Sequence, residues 1–207
     1  MDFVHPVAAV IPGAQGRVLA VLADTAAELN LRTLARMSRV SVAQLSRIMP
    51  GLVELGLVER REVPPSSQFR LVRAHVAARA VLELAAARNT VIAEMATAAE
   101  ALTVRPVSVI LFGSFARGTG ERGSDLDVLV VRPAGVDDDD ERWASSIEQW
   151  SDVVRALTGN SVEILEVGAD EVAARLATGR ELWQEIRRDG HVVYGLPLDE
   201  LAAVCRA

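Results

Sequence analysis

The chain is predicted to be an α+β protein in two parts. An N-terminal module of short helices and a hairpin is joined by a long helix to a C-terminal mixed sheet with helices. Three observations support this. Capped apolar-periodic segments run up to Gly56 and are followed by two β-type runs around Pro64-Pro65. Residues 75–102 are Ala-rich with no proline or glycine. Beyond Pro106 the runs VSVILF, DLDVLVV, SVEILEV and HVVYG alternate with helical stretches. The expected boundaries are 1–75, 76–105 and 106–207, and 207 residues suit two domains of about 100 each. Only 4% of residues are aromatic, so both cores must rest on Val, Leu, Ile and Ala.

Taken in order, residues 12–24 open with Pro-Gly and continue with Val18, Leu19, Val21 and Leu22, which predicts a short helix. Residues 31–38 predict a second. Ser41 stands at an N-cap position before the third, which Gly56 closes, while Pro50 inside it should kink or break it. LVERREV and FRLVR around PPSSQ predict a hairpin. In the second part the acidic run 137–141 should begin a helix, its carboxylates favoured at the positive end of the dipole. Helices are expected around 169–176 and 180–188. Trp143, Trp150 and Trp183 are expected to fill core, and the scattered His5, His75 and His191 have no metal-ligand spacing.

All 22 basic side chains are arginine. Residues 1–80 hold 10 Arg against 6 acids (+4), and residues 81–207 hold 12 against 22 (−10). Such asymmetry fits a nucleic-acid-facing first half, or ordinary surface variation, and alone does not choose. The single Cys205 excludes an intrachain disulfide. No signal-like segment is evident and no apolar run approaches ~18 residues, so no membrane partner and a cytoplasmic location are expected.

The run SVAQLSRIMPGLVELGLVERR, with Leu52, Gly56 and Arg60 in a Leu-x-x-x-Gly-Leu-Val-x-Arg pattern, resembles the recognition helix and wing entry of MarR- and ArsR-like bacterial regulators. The likeness spans roughly residues 12–75 and implies a winged helix-turn-helix with DNA as partner. Gln44, Ser46 and Arg47 would then enter the major groove, and Arg60, Arg61, Arg70 and Arg73 would meet phosphates. Each of these arginines reads equally as a solvated strand face. A single winged helix reads only a short half-site, so a homodimer through the long helix would be needed for specific binding.

The chemistry is concentrated at 113–127. A strand delivers the chain to Gly113, where backbone can approach a ligand, and Ser114 starts a helix whose free N–H groups favour an anion. Asp125 and Asp127 are spaced i and i+2 on a predicted strand, so both should emerge on one face. Val128 to Val131 predict that this strand is buried. Paired carboxylates there repel unless neutralised, and hard oxygen ligands select Mg²⁺ or Mn²⁺. Two such ions ~4 Å apart can activate a hydroxyl and stabilise a departing pyrophosphate.

Gly113-Ser114-Phe115-Ala116-Arg117-Gly118 and Ser124-Asp125-Leu126-Asp127, ten residues separating Ser114 from Asp125, resemble the signature of the DNA polymerase β-like nucleotidyltransferase superfamily. The minimal nucleotidyltransferase group is the nearest likeness. It implies transfer of a nucleoside monophosphate from an NTP, ATP being the first candidate, to an acceptor hydroxyl on a protein, RNA or small molecule. Gly113 and Ser114 would hold phosphates, and Asp125 and Asp127 the metal. The family's third carboxylate, usually Asp, falls here on Glu163, as base or further ligand; Glu166, an odd number of residues away, should face oppositely. Arg117 either pairs with the triphosphate or is a solvated helix residue, and Ser124 either bonds an Asp carboxylate or caps the turn. Relatives of this type include members of toxin–antitoxin systems. The alternative is a transcriptional regulator whose nucleotidyltransferase fold senses a nucleotide without catalysis.

Overall fold

The computed structural model describes residues 1–120 and 123–204. Glu121 and Arg122, within the predicted phosphate turn, and Cys205 lie outside the described residues. The chain divides into two compact units, His5–Arg88 and Met1–Val4 together with Asn89–Ala207.

The first unit runs α1 (Pro6–Val10), α2 (Gly13–Asp24), β1 (Leu29–Asn30), α3 (Leu31–Ser38), α4 (Val42–Glu54), β2 (Val58–Val63), β3 (Ser66–Leu71) and α5 (Val76–Ala85). β3 lies between β1 and β2, antiparallel to both. Local chemistry sets the helix starts. The Asn30 side chain accepts from the Thr33 amide at 2.8 Å, and Ser41 Oγ accepts from the Gln44 amide at 3.2 Å. Gly56, at φ +72°, turns the chain out of α4 while the Leu57 amide returns to the Leu52 carbonyl at 3.1 Å. Val18, Leu22, Leu34, Leu45, Leu52 and Phe69 anchor the buried core. After the short α1, the three helices α2, α3 and α4 followed by the β2–β3 hairpin give the winged helix-turn-helix order that the sequence predicts.

Two expectations change. Pro50 does not break α4, which runs through it from Val42 to Glu54. Proline removes the amide that the Ser46 carbonyl would accept from, but Ser46 and Pro50 are both exposed, so water can serve that carbonyl. The connecting helix expected over 76–105 is two helices, α5 and α6 (Ala87–Glu100), meeting at Ala86. Ala78 and Val81 of α5 are buried in the first unit's core, whereas Val91, Met95 and Ala99 of α6 are buried in the second unit. Each half follows its own apolar partners.

The second unit continues with β4 (Ser108–Phe112), α7 (Gly113–Ala116), β5 (Leu126–Arg132), α8 (Glu141–Thr158), β6 (Val162–Gly168), a 3₁₀ turn (Ala169–Glu171), α9 (Val172–Ala177), α10 (Glu181–Asp189), β7 (His191–Gly195) and α11 (Leu198–Val204). The sheet order is β6-β5-β4-β7. β4 is antiparallel to β5 and β7, and β5 is parallel to β6, giving the predicted mixed sheet. Ile110, Phe112, Leu129, Val131 and Val167 share a core with Val172 of α9, Trp183 and Ile186 of α10, and Leu201 of α11. The opposite face buries Val109, Leu111, Val128 and Val130. Within the acidic run Asp140 is the α8 N-cap, accepting from the Arg142 and Trp143 amides at 2.8 and 3.1 Å. Buried Trp150 donates its indole N–H to the Met95 carbonyl at 3.1 Å.

Pro50→Ala restores the missing helical hydrogen bond and should stabilise the first unit by roughly 1–3 kcal/mol. Far-UV circular dichroism during urea unfolding measures this, since all three tryptophans lie in the other unit.

Candidate active site

Strand β4 ends at Phe112, whose register partner on β5 is Asp127. The next residue, Gly113, has φ +66° and begins α7. A Cβ at Gly113 would lie 2.1 Å from Asp127 Oδ2. Glycine is required here twice over, for the left-handed backbone and for the carboxylate lying against it. Only one turn of helix follows, so the macrodipole at this point is small. The Ser114 carbonyl accepts from the Thr119 and Gly120 amides at 2.9 and 3.0 Å, folding the segment back on itself. Beneath it Phe115 meets Phe3 edge-on, ring centres 5.1 Å apart. Phe3 belongs to the four N-terminal residues that join this unit, a support the sequence did not reveal.

Asp125 lies one residue before β5, in exposed lead-in backbone, and not on the buried strand as expected; Asp127 is half-buried on the strand itself. The lead-in is held from behind. Buried Asn160 donates to the Ser124 carbonyl at 2.8 Å, and the Leu126 amide donates to the Ser161 carbonyl at 2.9 Å. The tie to Ser124 therefore runs through its carbonyl, and Asn160 is a positioning residue that no motif spacing indicated.

Glu163 is the register partner of Asp127 across the parallel β5/β6 pair, so the two carboxylates rise on the same face. Glu166 points the other way and pairs with Arg132. Two acids enter from α10, Glu185 and Asp189, both missed in the sequence. Arg117, at the end of α7, pairs with Glu185 and lies 3.8 Å from Asp189, so its guanidinium already has carboxylate partners. Arg188 binds Asp189 with two hydrogen bonds of 2.9 and 2.8 Å and holds its carboxyl below the usual range.

Burial, then the charges of Asp125, Glu163 and Glu185, push the Asp127 carboxyl above its ordinary value; Arg117 pulls the other way. Among the described residues no three His, Cys, Asp or Glu side chains are gathered into a ready metal cage. The donor chemistry nonetheless fits a hard divalent cation. It is all oxygen, anionic and self-repelling, and the exposed Asp125 and Glu163 side chains are free to rotate inward.

The residues predicted for DNA are all in the first unit. Gln44, Ser46 and Arg47 are exposed on α4, although the Ser46 hydroxyl donates to the Val42 carbonyl at 3.0 Å. The wing arginines are engaged within the protein. Arg60 pairs with Glu62 at 3.0 Å, Arg61 with Glu28 at 2.5 Å and Arg70 with Glu59 at 2.6 Å, while Arg73 donates to the Ala23 carbonyl at 3.3 Å.

Residues 92–176 match the family model of the nucleotidyltransferase domain, and residues 11–67 match that of the MarR family. The chain therefore joins a MarR-type winged domain to a mixed-sheet nucleotidyltransferase domain. Among solved structures, a toxin–antitoxin crystal structure with AMP-PNP is 19% identical, covering 57% of this chain and 83% of that one, with a TM-score of 0.35. A mutant form of the toxin–antitoxin MntA-HpeT is 16% identical over the same shares, with a TM-score of 0.37. At these scores the likeness carries no functional weight. No curated protein matches. Among the described residues no helix is long and apolar enough to cross a membrane.

Because the Asp127 carboxyl is raised, the stability linked to it is fully present below the ordinary aspartate pKa and is lost as pH rises through the raised value. Asp127→Asn should therefore raise the melting temperature at neutral pH in chelator, with the gain fading on acidification to about pH 4. Thermal melts of both proteins across that range measure the effect.

Proposed function

We propose that the second unit is a metal-dependent nucleotidyltransferase that moves a nucleoside monophosphate from an NTP to an acceptor hydroxyl. The observation that carries this reading is the placement of Asp127, directly against the Gly113 turn and beside Asp125 and Glu163. Asp125 and Asp127, with Glu163 at the rim, would hold Mg²⁺ or Mn²⁺; bound there, the ion neutralises the carboxylates and polarises phosphoryl oxygens. The amides after Gly113 and the Ser114 hydroxyl would orient the phosphates. In the transfer the acceptor oxygen bonds to the α-phosphorus, the bond from that phosphorus to the β-phosphate bridge breaks, and pyrophosphate leaves. The Glu163 carboxylate receives the acceptor's proton.

Incubation with each α-³²P-labelled NTP and Mg²⁺ or Mn²⁺, alone and with cell lysate, tests this. Label should appear on a macromolecule or small acceptor and fall at least ~100-fold in Asp125→Ala/Asp127→Ala. Binding of nucleotide without any transfer would instead make the domain a nucleotide sensor within a transcriptional regulator.

For the first unit we propose duplex DNA as partner, through α4. Exposed Arg47 has no carboxylate partner among the described residues, whereas the Arg60 charge is balanced by Glu62. Arg47→Ala should weaken DNA binding and reduce the salt-dependence slope by about 1, and Arg60→Ala should do less, in titrations from 50 to 200 mM salt. Equal effects would remove the distinction.

A further inference from the structure

Among the described residues, Arg117 and Glu185 are a charged pair at the phosphate turn to which the reaction above assigns no role. Arg117 closes α7 four residues after Gly113, and among the described residues its guanidinium is the cation that acts on Asp127 against three carboxylates. Glu185 comes from α10, which packs against both α7 and β4. Its carboxylate touches Arg117 and also adds to the negative field at Asp127. Asp189 is a poorer partner for Arg117, standing 3.8 Å away and already bound bidentately by Arg188.

This arrangement has a direct consequence for an arriving triphosphate. Among the described residues the cation at the phosphate turn, Arg117, is already paired with a carboxylate, and the surrounding carboxylates repel phosphate oxygens. With side chains 40% and 29% exposed, the Arg117–Glu185 pair is solvent-screened and can be exchanged at small cost. A triphosphate seated on the turn is a stronger anionic partner than one carboxylate.

We propose that Glu185 is a counter-ion that holds Arg117 in reserve, so that a nucleoside triphosphate engages Arg117 only by displacing Glu185. Triphosphate binding is thereby kept weak until a divalent cation balances the site's carboxylates. This role rests on the reading of the site given above. Glu185 is a positioning residue here, acting on the nucleotide through Arg117.

The test is equilibrium binding of ATP to the full chain by calorimetry, once in EDTA and once in Mg²⁺. Glu185→Gln should bind ATP about threefold to tenfold more tightly than wild type in EDTA, with the ratio shrinking towards one in Mg²⁺. The double variant Arg117→Gln/Glu185→Gln should lose that gain. A pair that merely staples α10 to the turn would lower the melting temperature of Glu185→Gln without tightening ATP. Unchanged, weaker or still undetectable EDTA binding in Glu185→Gln, or a gain surviving in the double variant, would overturn the proposal. If Glu185→Gln does not fold, Glu185→Asp, which withdraws the carboxylate by one methylene, should shift binding in the same direction. Wild type failing to bind ATP in both conditions would remove the site reading itself; wild type binding with Glu185→Gln unchanged removes only the counter-ion.

Discussion

Asp127 lies against a residue that has no side chain, and the geometry of the second unit follows from that contact. β4 and β5 are antiparallel neighbours, so the end of one and the beginning of the other meet at the same edge of the sheet. Phe112 and Asp127 face each other there, and the chain must leave β4 through Gly113 in a left-handed conformation. Any Cβ at Gly113 would collide with the carboxylate. Phosphate turn and acid are therefore one structural unit, fastened below by the buried Ile110, Phe112, Leu129 and Val131 and by α10.

The same sheet edge collects like charge. Parallel pairing with β6 sets Glu163 beside Asp127, and α10 adds Glu185, while among the described residues the Arg117 guanidinium answers them. A fold selected for stability alone would not gather carboxylates on a half-buried strand, since burial and mutual repulsion both disfavour the charged form. The cost is local, and it is the sort that a bound cation removes. Strain of this kind at a binding edge, over an apolar cluster of Ile110, Leu129 and Val131, is what a catalytic or nucleotide-binding role would require.

The first unit distributes its charges differently. Its wing carries arginines in number, yet Arg60, Arg61 and Arg70 each have a carboxylate beside them on the sheet or at its margin. Antiparallel pairing brings Glu59 opposite Arg70 by register, so this neutralisation belongs to the hairpin itself. The uncompensated charge is left to the helices, Arg47 on α4 among them. Counting arginines along the chain overstates what the wing offers a phosphate backbone.

Much of this was legible in the sequence because it depends on local rules. Ser41 and Asp140 mark helix starts by accepting from amides two or three residues on, Gly56 marks a helix end by its left-handed backbone, and apolar-rich runs mark β4, β5 and β6. Gly113, Ser114, Asp125 and Asp127 stood out because one turn and one strand start bring them together over fifteen residues. Glu163 could be chosen over Glu166 because side chains alternate along a strand, and register then set it beside Asp127. Other features were set by contacts between segments far apart in the chain. The long Ala-rich stretch divides at Ala86 because its two halves bury against different cores. Phe3 supports Phe115, Asn160 holds Ser124, and α10 delivers Glu185 to Arg117 across 68 residues. Such partners share neither a period nor a motif. Only the packing of α10 on the sheet decides which acids meet the phosphate turn, because nothing in a helix's own sequence states what the helix will cross.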